Sequence, residues 1–279
     1  MIYETINIWD NQNFYKQKAD EFQPQLTIYS ISNTNEVDMN KKRPAILICP
    51  GGGYCMVSER ESEPIMAQFL AQGYVVAILK YSVIPARYPK QLLEVSRAMW
   101  LLRSEANKYQ IDPEKIAVIG FSAGGHLAAN LGVSWNKVFI SQSVGMPEGM
   151  NKPNALILSY AVISSHFQPH KGSFDVLLGT NPSEALIKEV SCELQVGPHT
   201  PPTFLWHTAN DPVVPVSNTL CFAQALSDNK IPFEVHIYPD GNHGLSISTN
   251  EVNSPNEHVQ AWVAACLKWT DATLGNNQF

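Results

Sequence analysis

The run KIAVIGFSAGGHLAAN, residues 115–130, constrains this chain more than any other. KIAVIG reads as a short strand buried on both faces, and GGHLAAN reads as the first turns of a helix. Only Gly120-Phe121-Ser122-Ala123-Gly124 lies at the corner. A strand that turns at once into a helix leaves almost no space for side chains there. Glycines two before and two after the corner relieve the crowding, and the corner residue is held in a strained backbone with its side chain thrust outward. That makes Ser122 a candidate nucleophile, provided the rest of a hydrolytic site lies downstream.

The flanking sequence supplies a sheet for this corner. PAILICP (44–50), YVVAILKY (74–81), NALILSY (154–160), TFLWHTA (203–209) and FEVHIYP (233–239) read as further buried strands. Helices are expected at 62–73, with Ser62 as N-cap, Pro64 in the first turn and Gly73 as the stop, and at 88–110, 216–229 and 257–270. In the second of these Leu92, Val95, Met99 and Leu102 share one face, and Val259, Trp262, Cys266 and Trp269 do so in the last. MIYETINIW and LTIYSIS (26–32) alternate apolar and polar residues, the pattern of exposed antiparallel strands at a sheet edge. The predicted class is therefore α/β: a mostly parallel central sheet with helices on both faces and N-terminal antiparallel edge strands. No repeat or low-complexity linker interrupts residues 1–279, so a single domain is expected. Residues 133–153 and 161–202 are long connections that break the alternation. Loops of that length usually have a job, and both are expected near the nucleophile, as a small lid and acyl pocket.

A serine hydroxyl needs a base within reach, and the base needs a third group to fix its tautomer. Site residues of a parallel sheet sit after the carboxyl ends of its strands. Asp211 follows TFLWHTA in HTANDPVVP, and His243 follows FEVHIYP in YPDGNHG. Asp240 is the rival acid, but its place in a tight turn three residues from His243 suits turn formation. His126 is expected to be a packed helix residue, His207 and His236 satisfied core histidines, and His258 solvated. His166, His170 and His199 lie in the second long connection, within range of substrate. The oxyanion formed by attack needs preorganised N–H donors. Ala123 is expected to supply one, and the loop PGGGY (50–54) the others, because glycines let the backbone approach closely. Tyr54 and Tyr160 are expected to line the substrate pocket.

Composition narrows the partners. Net charge is −6 and no basic stripe is visible, so nucleic acid is not expected. No apolar run approaches the ~20 residues of a membrane span, and the first residues carry no basic head followed by an apolar core. The five cysteines form no CxxC pair, so no metal is expected, and no organic cofactor is implied. A cytoplasmic location is expected; the oligomeric state, homo-oligomer included, is open.

Together these segments resemble the α/β-hydrolase superfamily over nearly the whole chain from residue 44, with Ser122, Asp211 and His243 in its Ser…Asp…His order. They are most similar to its acetyl esterase branch related to hormone-sensitive lipase, which includes bacterial esterases that deacetylate xylan fragments. CPGGGY matches the His-Gly-Gly-Gly region, ARYPKQLLEVSRAMWLLR the helix before the elbow and DPEKIAVIGFSAGGHLA the nucleophile segment. PPTFLWHTANDPVVPVSNTLCFAQAL and VHIYPDGNHGL match the acid and base segments. The resemblance implies a cofactor-free serine carboxylesterase acting on small acetyl esters, such as those of sugars or xylo-oligosaccharides. Ser122 would be nucleophile, His243 base, Asp211 orienting acid, and the amides of Gly52, Gly53 and Ala123 oxyanion donors; Gly51, not a donor by the same analogy, would tolerate alanine better. The chain departs from the family at Pro50, where a histidine is usual, and in having little of the helical N-terminal cap, which implies a more open site. Two other readings stand beside this one: a prolyl-oligopeptidase-like peptidase, and a non-catalytic ligand-binding protein on the same fold.

Overall fold

Strand β3 (Arg43–Cys49) is buried along its whole length. Successive side chains of a strand point to opposite faces. Ala45, Leu47 and Cys49 accordingly enter one hydrophobic cluster, and Ile46 and Ile48 another. The same division runs through β4 (Val75–Lys80), β5 (Ile111–Phe121), β6 (Ala155–Ser159) and β7 (Thr203–Thr208). Continuous apolar strands are what a sheet covered on both faces requires.

These features come from a computed structural model, which describes residues 1–9 and 22–275. With β1 (Ile2–Asn7), β2 (Gln25–Ser30) and β8 (Phe233–Tyr238), the strands form one sheet in the order β1-β2-β4-β3-β5-β6-β7-β8. Neighbours from β4 to β8 pair in parallel, whereas β2 is antiparallel to both β1 and β4. In register, Gly120 stands beside Cys49 of β3 and Leu158 of β6. The carboxyl ends of the three central strands therefore meet at the corner that holds Ser122.

Helices α1 (Glu63–Ala71) and α9 (Glu257–Leu274) bury their apolar sides in the cluster containing Ile46. The opposite cluster takes side chains from α2 (Lys90–Ser104), α3 (Ala106–Tyr109), α4 (Ser122–Ser134), α5 (Val138–Val144), α6 (Lys171–Leu178), α7 (Glu184–Val190) and α8 (Ser217–Asp228). Helix α9 has sequence signals at both ends. Asn256 Oδ1 accepts from Val259 N at 3.1 Å, and Gly275 closes the helix at φ +63°. Among the described residues, no helix is long and apolar enough to cross a membrane. The five cysteines are free; Cys49, Cys192 and Cys266 are buried, Cys221 is half-buried and Cys55 is exposed.

Several expectations need correction. The helix expected over 88–110 starts at Lys90 and breaks at Glu105, where ψ turns to +19°. Ser62 occupies the N-cap position without capping; its Oγ donates to Ser58 O. Strand β2 is not exposed: it pairs on both sides, and only β1 forms that edge. Strand β8 is not buried; it is the opposite edge, and Phe233, Val235 and Ile237 are partly exposed. The connection expected over 133–153 as part of a lid beside Ser122 begins within the last turn of α4, and its remainder, 135–153, does not lie beside Ser122. Helix α4 starts at the carboxyl end of β5 and runs toward the other end of the sheet. There Arg103 gathers the carbonyls of Pro113, Met150 and Lys152, and Asn154 N bonds Ile116 O.

Candidate active site

Ser122 has φ +52°, a left-handed conformation rare outside glycine, and it opens α4 directly from β5. The flanking glycines have a steric cause. A Cβ on Gly120 would come 2.2 Å from Gly124 O, and one on Gly124 would come 2.1 Å from Cys49 O and 2.3 Å from Pro50 O. Helix α4 crosses the end of β3 too closely for any side chain there.

His243 lies in the loop after β8 and Asp211 in the loop after β7. His243 Nε2 is 2.8 Å from Ser122 Oγ, and its Nδ1 is 2.7 Å from Asp211 Oδ2. Because the carboxylate only accepts, Nδ1 carries the hydrogen and Nε2 is left with its lone pair toward the serine. The other oxygen, Asp211 Oδ1, accepts from Val213 N and Val214 N at 2.8 and 2.9 Å. His207 contributes a contact the sequence did not suggest: Nε2 is 3.0 Å from Val214 O and 3.3 Å from Asp211 Oδ2. Its Nδ1 meets Thr219 Oγ1 at 2.7 Å, so this buried ring is fully used. Burial works against ionisation of Asp211, but the bonds from His207 and His243 outweigh it and hold the carboxyl well below the usual range.

The PGGGY loop follows β3 and is pinned from below by Tyr81, whose hydroxyl donates to Pro50 O at 2.7 Å. Gly51 N is already used; it donates to Glu61 Oε2 at 2.8 Å. Among the described residues, the amides of Gly52, Gly53 and Ala123 have no hydrogen-bond partner. Gly52 and Gly53 have φ +121° and +64°, so the left-handed loop needs glycine there.

Gly52, Gly53, Ser122, His170, Val213 and His243 surround a cavity of about 410 Å³. Met56 and Glu59 form part of its wall and also part of the wall of a larger cavity of about 1010 Å³, between α1 and the faces of β2 and β4. The two expected substrate residues are not in contact with this space. Tyr54 is 1% exposed, and its hydroxyl meets His126 Nδ1 at 2.7 Å. Tyr160 is also 1% exposed. Its hydroxyl donates to Glu61 Oε1 at 2.8 Å and accepts from Ser246 N at 3.0 Å, while its ring meets the His243 ring edge-on at 5.1 Å. Both face inward because apolar packing claims their rings.

The remaining histidines separate by position. His126 is packed as expected, with Nε2 donating to Val190 O at 2.8 Å, and burial lowers its pKa to about 4. His170 reaches the cavity; burial lowers its pKa, and Nδ1 caps α6 by accepting from Ser173 N. His199 is remote, with Nε2 on Val133 O, and His236 is half-exposed beside Glu234 on the edge strand. His258 is exposed over Tyr238, and Asp240 accepts from Asn210 in its turn. Among the described residues, no cluster of three His, Cys, Asp or Glu side chains is arranged to hold a metal ion.

A family model described as BD-FAE matches residues 33–226. Endo-1,4-beta-xylanase B of Butyrivibrio fibrisolvens is 37% identical over 249 residues, covering 88% of this chain and 38% of that protein. Acetylxylan esterase of Xylanibacter ruminicola is 29% identical over 216 residues, covering 75% and 42%. The chain thus spans about four tenths of the length of these curated relatives. The crystal structure of an acetyl ester-xyloside bifunctional hydrolase from Caldicellulosiruptor lactoaceticus superposes with a TM-score of 0.84. It is 36% identical and covers 96% of each chain.

Proposed function

Starting from the fact that the chain belongs to the BD-FAE family and has the α/β-hydrolase fold, we propose that it is a serine carboxylesterase that removes short acyl groups, acetyl above all, from sugars or xylo-oligosaccharides. One observation carries the reading: His243 bridges Ser122 Oγ at 2.8 Å and Asp211 Oδ2 at 2.7 Å, with the proton on the Asp211 side. In this reading Ser122 Oγ attacks the ester carbonyl and His243 Nε2 takes its proton. The amides of Gly52, Gly53 and Ala123 receive the developing negative charge, each such donor being worth roughly 3–4 kcal/mol in the transition state. His243 then returns the proton to the leaving alcohol, and water, activated by the same nitrogen, releases the acid from Ser122.

The sugar part rests on the relatives' names and on space. A cavity of about 410 Å³ at the serine admits a small acyl group without selecting it, so the acetyl preference rests on the relatives, while the adjoining 1010 Å³ gives room for a bulky alcohol. Residues 161–202 contribute His170 to the wall of this cavity, which supports a role for them in the acyl pocket. Free cysteines throughout suit a reducing compartment, which supports a cytoplasmic location. The test is acetate release from acetylated xylo-oligosaccharides beside p-nitrophenyl esters of rising chain length. Acetyl esters are expected to have the highest kcat/KM. A higher value for p-nitrophenyl octanoate would replace this reading with a lipase-like one, and turnover confined to aminoacyl-prolyl anilides with a peptidase.

A further inference from the structure

The glycine loop and the His243 loop leave the sheet from β3 and β8, with β5, β6 and β7 between them. Strand pairing alone sets their separation only through three intervening strands, yet the oxyanion donors and the base must be placed to a fraction of an ångström. Glu61, in the short 3-10 turn before α1, is 3% exposed, and both its oxygens are used. Oε2 accepts from Gly51 N and Oε1 from the Tyr160 hydroxyl, each at 2.8 Å. That hydroxyl accepts in turn from Ser246 N at 3.0 Å, three residues beyond His243. The Tyr160 ring, at the end of β6, lies edge-on between His243, at 5.1 Å, and Trp206, at 4.9 Å. A second tie runs parallel to the first: Ser246 Oγ donates to the carbonyl of Arg60.

We infer that Glu61 and Tyr160 are positioning residues: they form a buried bridge that holds the oxyanion loop at a fixed distance from the His243 loop. The inference rests on the reading of Ser122, His243 and the glycine amides given above. A buried carboxylate is weak evidence for stability, because apolar side chains of equal volume often serve as well. What apolar side chains cannot do is hold donors from two separate loops at hydrogen-bond distance. The bridge also takes up the Gly51 amide, which leaves those of Gly52 and Gly53 for a ligand. Tyr160 and Ser246 have φ of +37° and +51°, uncommon for non-glycine residues and of the kind that persists only where the surroundings enforce it.

The test is a double-mutant cycle of Glu61→Gln and Tyr160→Phe, read by kcat and KM on p-nitrophenyl acetate and by Tm, with Ser122→Ala as control. Each single variant is expected to lower kcat by roughly 10- to 100-fold, the scale of an ångström's misplacement, with KM within a few-fold. The double variant is expected to be no worse than the poorer single, since one bridge is cut either way. Losses that multiply would overturn the inference. So would unchanged kcat in folded single variants, or a rise in KM alone, which would mark a pocket wall. Should Glu61→Gln fail to fold, Tyr160→Phe decides by the same split between kcat and KM. Wild-type turnover that survives Ser122→Ala defeats the site reading itself, whereas Ser122-dependent turnover indifferent to both variants defeats only the bridge.

Discussion

His207 Nε2 lies 3.3 Å from Asp211 Oδ2, the same oxygen that holds His243 Nδ1 at 2.7 Å. One carboxylate oxygen therefore faces two ring N–H groups, and the other faces two backbone amides. All four neighbours are donors, which is why Asp211 remains ionised far below the ordinary carboxylate range despite its burial.

Asp211→Asn should therefore cost more than a wrong tautomer. The new amide group must meet a donor whichever way it turns. The expected kcat loss is about 10⁴-fold, as in other serine hydrolases, with a lower Tm besides. Asp240→Asn should be nearly silent, because Asp240 only supports a turn. Steady-state kinetics and a melting curve of both variants check this, and the reverse ranking would reassign the acid.

Ser122→Ala should lower kcat by roughly 10⁶-fold and leave the fold intact, since only one hydroxyl is removed from a conformation already adopted. A variant that retained a tenth of the activity would remove Ser122 from the mechanism.

The glycine loop should rank by space. A Cβ on Gly51 would lie 2.8 Å from Phe121 O and 2.7 Å from Glu61 Oε2, and one on Gly52 would lie 2.2 Å from Met56 O. A Cβ on Gly53 would meet nothing nearer than Ser173 Oγ at 3.9 Å. Gly51→Ala, which the family resemblance implies to be mild, should thus join Gly52→Ala in losing both Tm and activity. Gly53→Ala should cost only the left-handed backbone penalty of about 1–2 kcal/mol. Thermal melts of the three variants decide the order.

Two buried groups should oppose each other in pH dependence. His126 binds its proton near pH 6.5 when unfolded but only near 4 when folded, so its contribution to stability falls as pH drops through that window. Glu94, buried and held by Ser82, has its pKa raised to about 7 from an ordinary 4.5. The folded chain then keeps a proton that the unfolded chain releases, so stability from Glu94 falls as pH rises from about 4.5 to 7. Each slope reaches at most about 1.4 kcal/mol per pH unit. Wild-type Tm should vary little between about pH 5 and 6.5, where the windows overlap. Glu94→Gln should steepen the loss on the acid side, and His126→Gln should reverse the trend. Calorimetry that gave three parallel curves would refute the pairing.

Much of this was legible in the sequence because the strands are apolar on both faces and Ser122, Asp211 and His243, which the structure brings together, each follow one. The periodicity of AILIC and AVIGF decides its own burial, and strand ends in a parallel sheet decide where Ser122, Asp211 and His243 lie. Tyr54 and Tyr160 face the core rather than the ligand space for a physical reason: an aromatic residue in the loop beyond a strand can turn either way, and only packing chooses. Glu61 was hidden in SERESEP, a charged run that reads as solvated surface. The position of 135–153 turned on the direction of α4, which carries the chain away from the serine before the next strand begins. His207 looked like a satisfied core histidine and is one; its contact with Asp211 depends on the fold of the following loop.

Cys55 lies two residues beyond Gly53 and is the exposed one of the five thiols. The others are shielded, and burial pushes even the half-buried Cys221 thiol up to about 12, far from the reactive thiolate. A maleimide dye added to the native protein should therefore attach at one position without any cysteine being engineered away. Such a dye would hang from the turn that the Cys55 N to Gly52 O bond closes at 2.9 Å, so the native sequence, once labelled, could report fluorescently on a ligand that engages the glycine loop.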